Sequence, residues 1–135
     1  MPEGDTVITA LTRTVEHIEA HLGDELDVGA VARTHGTTEY HLRRMFSSLA
    51  GMPLSEYVRR RRMTAAAGEV VGGEDLLTIA VRYGYGSTEA FARAFRAVHG
   101  IAPSVARRDG GPLRTQPRLR FRLTVEGSIP MDTRI

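Results

Sequence analysis

The chain has 135 residues, 41% hydrophobic and 25% charged, a composition that fits one globular domain, or two very small ones sharing a core, and excludes a wholly disordered chain. It has no Cys, which excludes disulfides, thiolate zinc sites and cysteine nucleophiles, and no apolar run near the ~20 residues of a membrane helix. The formal net charge is only +2, and every basic residue is Arg.

The N-terminus, Met1-Pro2-Glu3-Gly4-Asp5, is acidic and polar, unlike a secretory signal, so a cytoplasmic protein without a membrane partner is expected. From Thr6 to Leu22, apolar residues at Val7, Ile8, Leu11, Val15, Ile18 and Leu22 describe one helical stripe. Asp5 is its expected N-cap and Gly23 its expected stop. His17 and His21 sit one helical turn apart, but Glu19 is not where a His-Glu-x-x-His metalloprotease has its acid, so they read as two surface histidines. A second helix follows Asp27 and ends near Gly36, with Val28, Val31 and Ala32 inward. A third follows Thr38, with Leu42, Met45, Phe46 and Leu49 inward, and Gly51 ends it. Pro53 opens a long helix through Leu54, Tyr57, Val58, Arg61, Ala65, Ala66 and Val70 to Gly72-Gly73. Ala80, Val81 and Tyr83 form a short fifth helix. Ser87 caps a sixth, with Phe91, Ala94, Phe95 and Val98 inside and Gly100 as its stop. A last helical turn runs from Pro103 to Arg108.

The chain repeats itself at an offset of 49 residues. Thr38 to Phe46 lies over Ser87 to Phe95: cap over cap, Arg44 over Arg93, Phe46 over Phe95, and then Gly51 over Gly100. Upstream, Ala32 falls on Ala80 once one extra residue is allowed in the second turn. Each copy reads as short helix, tight turn, cap and longer helix, which is the helix-turn-helix pattern. The helix between the copies is roughly 27 Å long at 1.5 Å per residue. Successive major grooves on one face of DNA lie about 34 Å apart, so a stiff spacer of that order can present two helices to adjacent grooves.

Charge is distributed unevenly. Seven acids and two Arg fall between Met1 and Gly36, six Arg and two Glu between Thr37 and Arg62, and five Arg and one Glu between Arg82 and Arg108. Such blocks fit either a directed surface for a polyanion or a solvated Arg-rich exterior. Arg59 to Arg62 wrap around their helix axis, so most of them are expected to pair with acids such as Glu56 or stay solvated.

The motifs resemble the DNA-binding domain of the AraC/XylS family of bacterial transcription regulators, nearest to its MarA/SoxS/Rob-like branch, in which the domain binds DNA as a monomer. The likeness rests on Ile18 to Leu22, on Tyr40 to Phe46 with Gly51, on Tyr57 to Met63 with Ala66, and above all on Ile79-Ala80-Val81-Arg82-Tyr83-Gly84-Tyr85-Gly86-Ser87 with Phe91, Arg93, Phe95, Gly100 and Pro103. It implies an all-α fold of about seven helices: two helix-turn-helix units (about 5–52 and 75–108) joined by a linker helix (about 53–72), forming a DNA-binding domain over 1–108. It also implies a nucleoid-associated regulator whose partners are double-stranded promoter DNA and, for an activator, RNA polymerase.

The resemblance places a recognition helix in each unit. In the first, Arg44, Arg43 and Tyr40 match base-contacting positions, and Arg reads guanine O6 and N7 through paired bonds. Contact with phosphate is the other reading for Arg43 and Arg44, and packing against sugars for Tyr40. In the second, Arg93 is the expected base reader and Arg96 a phosphate ligand, with Thr88 and Glu89 also outward. Glu89 could accept from cytosine N4, but it repels phosphate. The Ala-rich face leads us to expect less sequence reading from this unit. Thr38 and Ser87 cap their helices and are secondary candidates for phosphate contact. No catalytic residue, cofactor site or metal site is expected.

After Arg108, Asp109-Gly110-Gly111-Pro112 reads as a linker, and Leu119 to Glu126 alternates apolar and polar as a half-buried strand does. Pro117 to Ile135 resembles the opening of a GyrI-like effector-binding domain. Residues 109–135 are therefore expected to be a linker and the first strand of an incomplete domain, truncated before its ligand-sensing part, through which a small-molecule effector would act; a natural end at Ile135 is the competing reading, and disorder, packing on the helical domain and pairing with a second copy are all open to the lone strand. The competing functional reading is a helical small-molecule- or partner-binding module with little specific DNA affinity.

Overall fold

In the computed structural model, residues 3–124 and 126–127 are described, residues 3–5 by their backbone alone. Among these described residues seven α-helices follow in order: α1 Glu3–Ala20, α2 Val28–Thr34, α3 Glu39–Ala50, α4 Leu54–Val71, α5 Leu76–Arg82, α6 Thr88–His99 and α7 Pro103–Asp109.

The two copies of the repeat fold alike. The side chains of Asp27, Thr38, Asp75 and Ser87 each accept the backbone N–H three residues on, at 2.9 to 3.1 Å, and so start α2, α3, α5 and α6. In the turns, Thr37 N–H donates to Ala32 O at 3.0 Å and Tyr85 N–H to Ala80 O at 2.8 Å, and Gly36 and Gly84 both take the left-handed conformation. Gly86 is the extra residue of the second turn. Gly51 and Gly100, at φ 76° and 81°, close α3 and α6.

There are two cores, and α4 belongs to both. Leu54, Tyr57 and Val58 pack with Leu11, Ile18, Leu42 and Phe46. Met63, Ala66, Ala67 and Val70 pack with Ile79, Ala80, Phe91 and Phe95, and Leu22 borders both clusters. The α1–α2 turn bridges the units. Arg62 of α4 donates to Leu22 O at 2.8 Å and Asp24 O at 3.0 Å. A Cβ on Gly23 would lie 2.2 Å from the Arg82 carbonyl oxygen at the end of α5, so close approach, and not a helix stop, is what requires glycine there.

Several expectations are corrected. α1 ends at Ala20, before Gly23, and its backbone is already helical at Glu3, so Asp5 lies within the helix. Leu49, expected inward, is 59% exposed. The segment expected as a strand from Leu119 forms no strand among the described residues, and Val125 and 128–135 lie outside them. Its apolar residues instead found a helical surface: Leu119 and Phe121 pack on the first core, and the Leu119 N–H donates to the Tyr57 hydroxyl at 3.1 Å. Leu123, beyond that surface, stays 61% exposed.

Candidate nucleic-acid interface

α3 and α6 occupy matching places in the repeat, each pinned by two large residues from its inward face: Leu42 and Phe46, Phe91 and Phe95, all wholly buried. Their other faces are open. On α3, Thr38, Glu39, Tyr40, Arg43 and Arg44 are exposed, Tyr40 to 70%. On α6, Glu89, Arg93 and Arg96 are exposed, while Ser87 and Thr88 are half-buried.

The eleven arginines of the two basic blocks sort sharply by what they touch. Arg43 pairs with Glu39 at 2.9 Å. Arg59 and Arg60 both pair with Glu56. Arg61 holds Glu19 through two bonds, at 2.5 and 3.0 Å, and its guanidinium is raised above its ordinary pKa chiefly by that bond. Arg62 is spent on backbone carbonyls, as is Arg107, which donates to Val70 O at 3.0 Å and to Glu74 O. Arg82 joins Glu69 and Glu74 at 2.9 and 2.5 Å, tying α5 to the end of α4. Arg108 pairs with Asp109. Among the described residues, three of the eleven meet no acid and no carbonyl: Arg44, Arg93 and Arg96. All three stand on α3 or α6, and Arg44 and Arg93 share one position of the repeat.

Arg44, unlike Arg93, has a side-chain neighbour on its own helix. Its Nη1 donates to the Tyr40 hydroxyl at 3.2 Å, and its Cζ lies 5.7 Å from the centre of the Tyr40 ring. Arg93 has Glu89 one turn earlier, yet no bond joins them. A small-residue surface therefore carries two unneutralised cations and one free carboxylate on α6. On α3 the Arg43 charge is balanced by Glu39, leaving Arg44 as the net cation. The hydroxyls of Thr38 and Ser87 act as cap acceptors, which leaves each O–H free to donate.

His17 of α1 and His21 just after it are structural. His17 Nε2 accepts the Asp27 N–H at 3.0 Å, at the start of α2, and His21 Nδ1 donates to His17 O at 2.8 Å. Burial, then the neighbouring His21, push the His17 pKa below its ordinary value. Among the described residues no group of three or more His, Asp or Glu is placed to hold a metal, and no helix is long and apolar enough to cross a membrane.

Sequence reasoning missed three residues that set this geometry. Gly23, Arg62 and Arg107 act across gaps of tens of residues on backbone atoms, and no local pattern marks such contacts.

Comparison with known proteins gives consistent matches. The family described as "Helix-turn-helix domain" matches residues 31–109. The HTH-type transcriptional activator AarP of Providencia stuartii is 41% identical over 91 residues, covering 67% of this chain and 67% of its own. A transcriptional regulator of the AraC type from Chromobacterium violaceum has a similar fold, with a TM-score of 0.68 at 24% identity, over 81% of this chain and 95% of that one. The DNA-binding domain of the global transcriptional factor AdpA, solved in complex with a target DNA, superposes with a TM-score of 0.56 at 23% identity, over 76% and 89%.

Proposed function

The chain belongs to the AraC-type helix-turn-helix family, and from that premise we propose that it is a sequence-specific transcription regulator that sets α3 and α6 into two successive major grooves on one face of promoter DNA. The observation that carries this reading is the sorting of the eleven arginines in the two basic blocks: eight meet an acid or a backbone carbonyl, and the three left over, Arg44, Arg93 and Arg96, stand on the two helices that the repeat makes equivalent.

In this reading Arg44 and Arg93 address base edges, where a paired bond to guanine O6 and N7 distinguishes it from the other bases. Tyr40 steers Arg44 and lies against the backbone sugars. Arg43, balanced by Glu39, contributes less than Arg44. Arg96 contacts phosphate, Glu89 accepts from a cytosine amino group and Thr88 lies beside it. Thr38 and Ser87 offer their free O–H to phosphate at the helix starts. The 18-residue α4, about 27 Å long, sets the separation of the two reading heads. The bacterial activator AarP and the DNA-bound AdpA domain support promoter DNA as the partner.

The test is selection of bound duplexes from a random pool, followed by titration with salt. The expected result is a defined motif of two separated half-sites, with affinity falling by several log units per log unit of salt, as contacts to phosphate require. Weak binding indifferent to sequence would contradict the proposal.

A further inference from the structure

Two buried polar side chains, one in each core, aim an acceptor at the chain beyond α7. Tyr57 is wholly buried in the first core, and its hydroxyl receives the Leu119 N–H at 3.1 Å. His99 is 2% exposed in the second core. Its Nε2 lies 2.9 Å from Met63 O and its Nδ1 3.0 Å from the Arg114 nitrogen. The carbonyl requires a donor and the N–H an acceptor, so the tautomer with the proton on Nε2 satisfies both. Between these points Thr64 Oγ1 accepts the Gln116 N–H at 2.8 Å, and Arg61 donates to Gln116 O. Leu113 packs on the second core, and Leu119 and Phe121 on the first. The Phe121 ring stands 5.7 Å from that of Phe46 on α3.

Residues 113–121 thus run back along α4, from the second unit to the first. At 100° per residue, Tyr57, Arg61 and Thr64 share one side of α4, and Arg62, which grips the α1–α2 turn, lies about 140° round from Tyr57. The linker helix is held from two sides. If the segment left, the Tyr57 hydroxyl and His99 Nδ1 would each lose the backbone N–H that they accept.

We infer that residues 113–121 are a strap that fixes the two helix-turn-helix units relative to each other, with Tyr57, Thr64, His99 and Phe121 as positioning residues for binding two half-sites at once. The strap stands on these contacts alone, and only its consequence for DNA rests on the two-groove reading above.

The chain has no Cys, so Ser48→Cys and Ala97→Cys, exposed and equivalent in the repeat, give two sites for spin labels on α3 and α6 of the full chain. The label-to-label distance distribution and the exchange of the Arg114, Gln116 and Leu119 amides are measured with the strap intact and with Leu119→Ala and Phe121→Ala together. Tyr57→Phe, which keeps the ring and removes the acceptor, is the milder variant. With the strap intact the distribution is expected to be narrow and the three amides protected. In the variants these amides exchange several-fold faster and the distribution broadens. Affinity for a duplex with both half-sites then falls about tenfold, and affinity for one half-site stays within about twofold, since only the linkage between sites is loosened. Released amides with an unchanged distribution would overturn the strap, as would unprotected amides in the strap-intact chain. A broadened distribution in a protein that binds one- and two-site duplexes equally would leave the strap standing and remove the two-groove reading.

Discussion

Phe95→Ala is expected to destabilise the protein by about 3–5 kcal/mol, a large part of the about 5–15 kcal/mol that holds a domain of this size folded. The ring is wholly buried and lies between Phe91 and His99, at centroid distances of 5.9 and 4.4 Å. Its removal leaves a cavity that the neighbouring helices, pinned by their caps, cannot close. The matching change in the other unit, Phe46→Ala, is expected to cost a similar amount, because Phe46 meets Tyr57 and Phe121 in the same way, at 5.4 and 5.7 Å. The two variants should share a further property. Since α4 supplies residues to both cores, either substitution should lower the midpoint of a single unfolding transition, not detach one unit from the other. Denaturant titration followed by circular dichroism and by tyrosine fluorescence checks this. Non-coincident transitions in either variant would show that the units unfold separately.

Arg44→Ala is expected to weaken binding to the cognate duplex by about 1–3 kcal/mol and to relax the preference at one base pair. The side chain has no acid or carbonyl to leave behind, and the Tyr40 ring beneath it reduces the freedom it must lose on binding. Arg43→Ala should cost less, since Glu39 already balances that charge and would be set free to repel phosphate only in part. Competition binding against duplexes varied at each position reads both quantities. Equal loss on every sequence would make Arg44 a phosphate ligand and move the reading of the first half-site elsewhere on α3.

Much of the architecture was legible because it is local and periodic. The caps Asp27, Thr38 and Ser87, the stops Gly51 and Gly100, and the inward spacing of Leu42 with Phe46 and of Phe91 with Phe95 are set by a few consecutive residues, and the structure agrees with each. The repeat added a second reading of the same signals. What was not legible depends on partners far along the chain. Arg61 meets Glu19 across 42 residues, and Arg107 meets Val70 across 37. Pairing of Arg59 and Arg60 with Glu56 was expected from their spacing, but Glu19 for Arg61 and the carbonyls of Leu22 and Asp24 for Arg62 were not. Gly23 resembled a helix stop because its real constraint, the Arg82 carbonyl, comes from the other unit. The alternation from Leu119 onward was read as a strand. Period two places apolar groups on one side of an extended chain, but only a second strand makes it a sheet, and here Tyr57 and Phe46 offered a helical surface instead. For the candidate site, the residue types and helices could be named from sequence, but which arginines remain free could not.

The most direct test of the central claim is to insert five base pairs between the two half-sites of a selected duplex and measure affinity against the uninterrupted site. Two reading heads held at a set distance by α4 cannot follow a half-turn displacement, so the inserted site should bind no better than a single half-site, and a ten-base-pair insertion should not restore it because the spacer cannot lengthen. Affinity unchanged by the five-base-pair insertion would contradict the account.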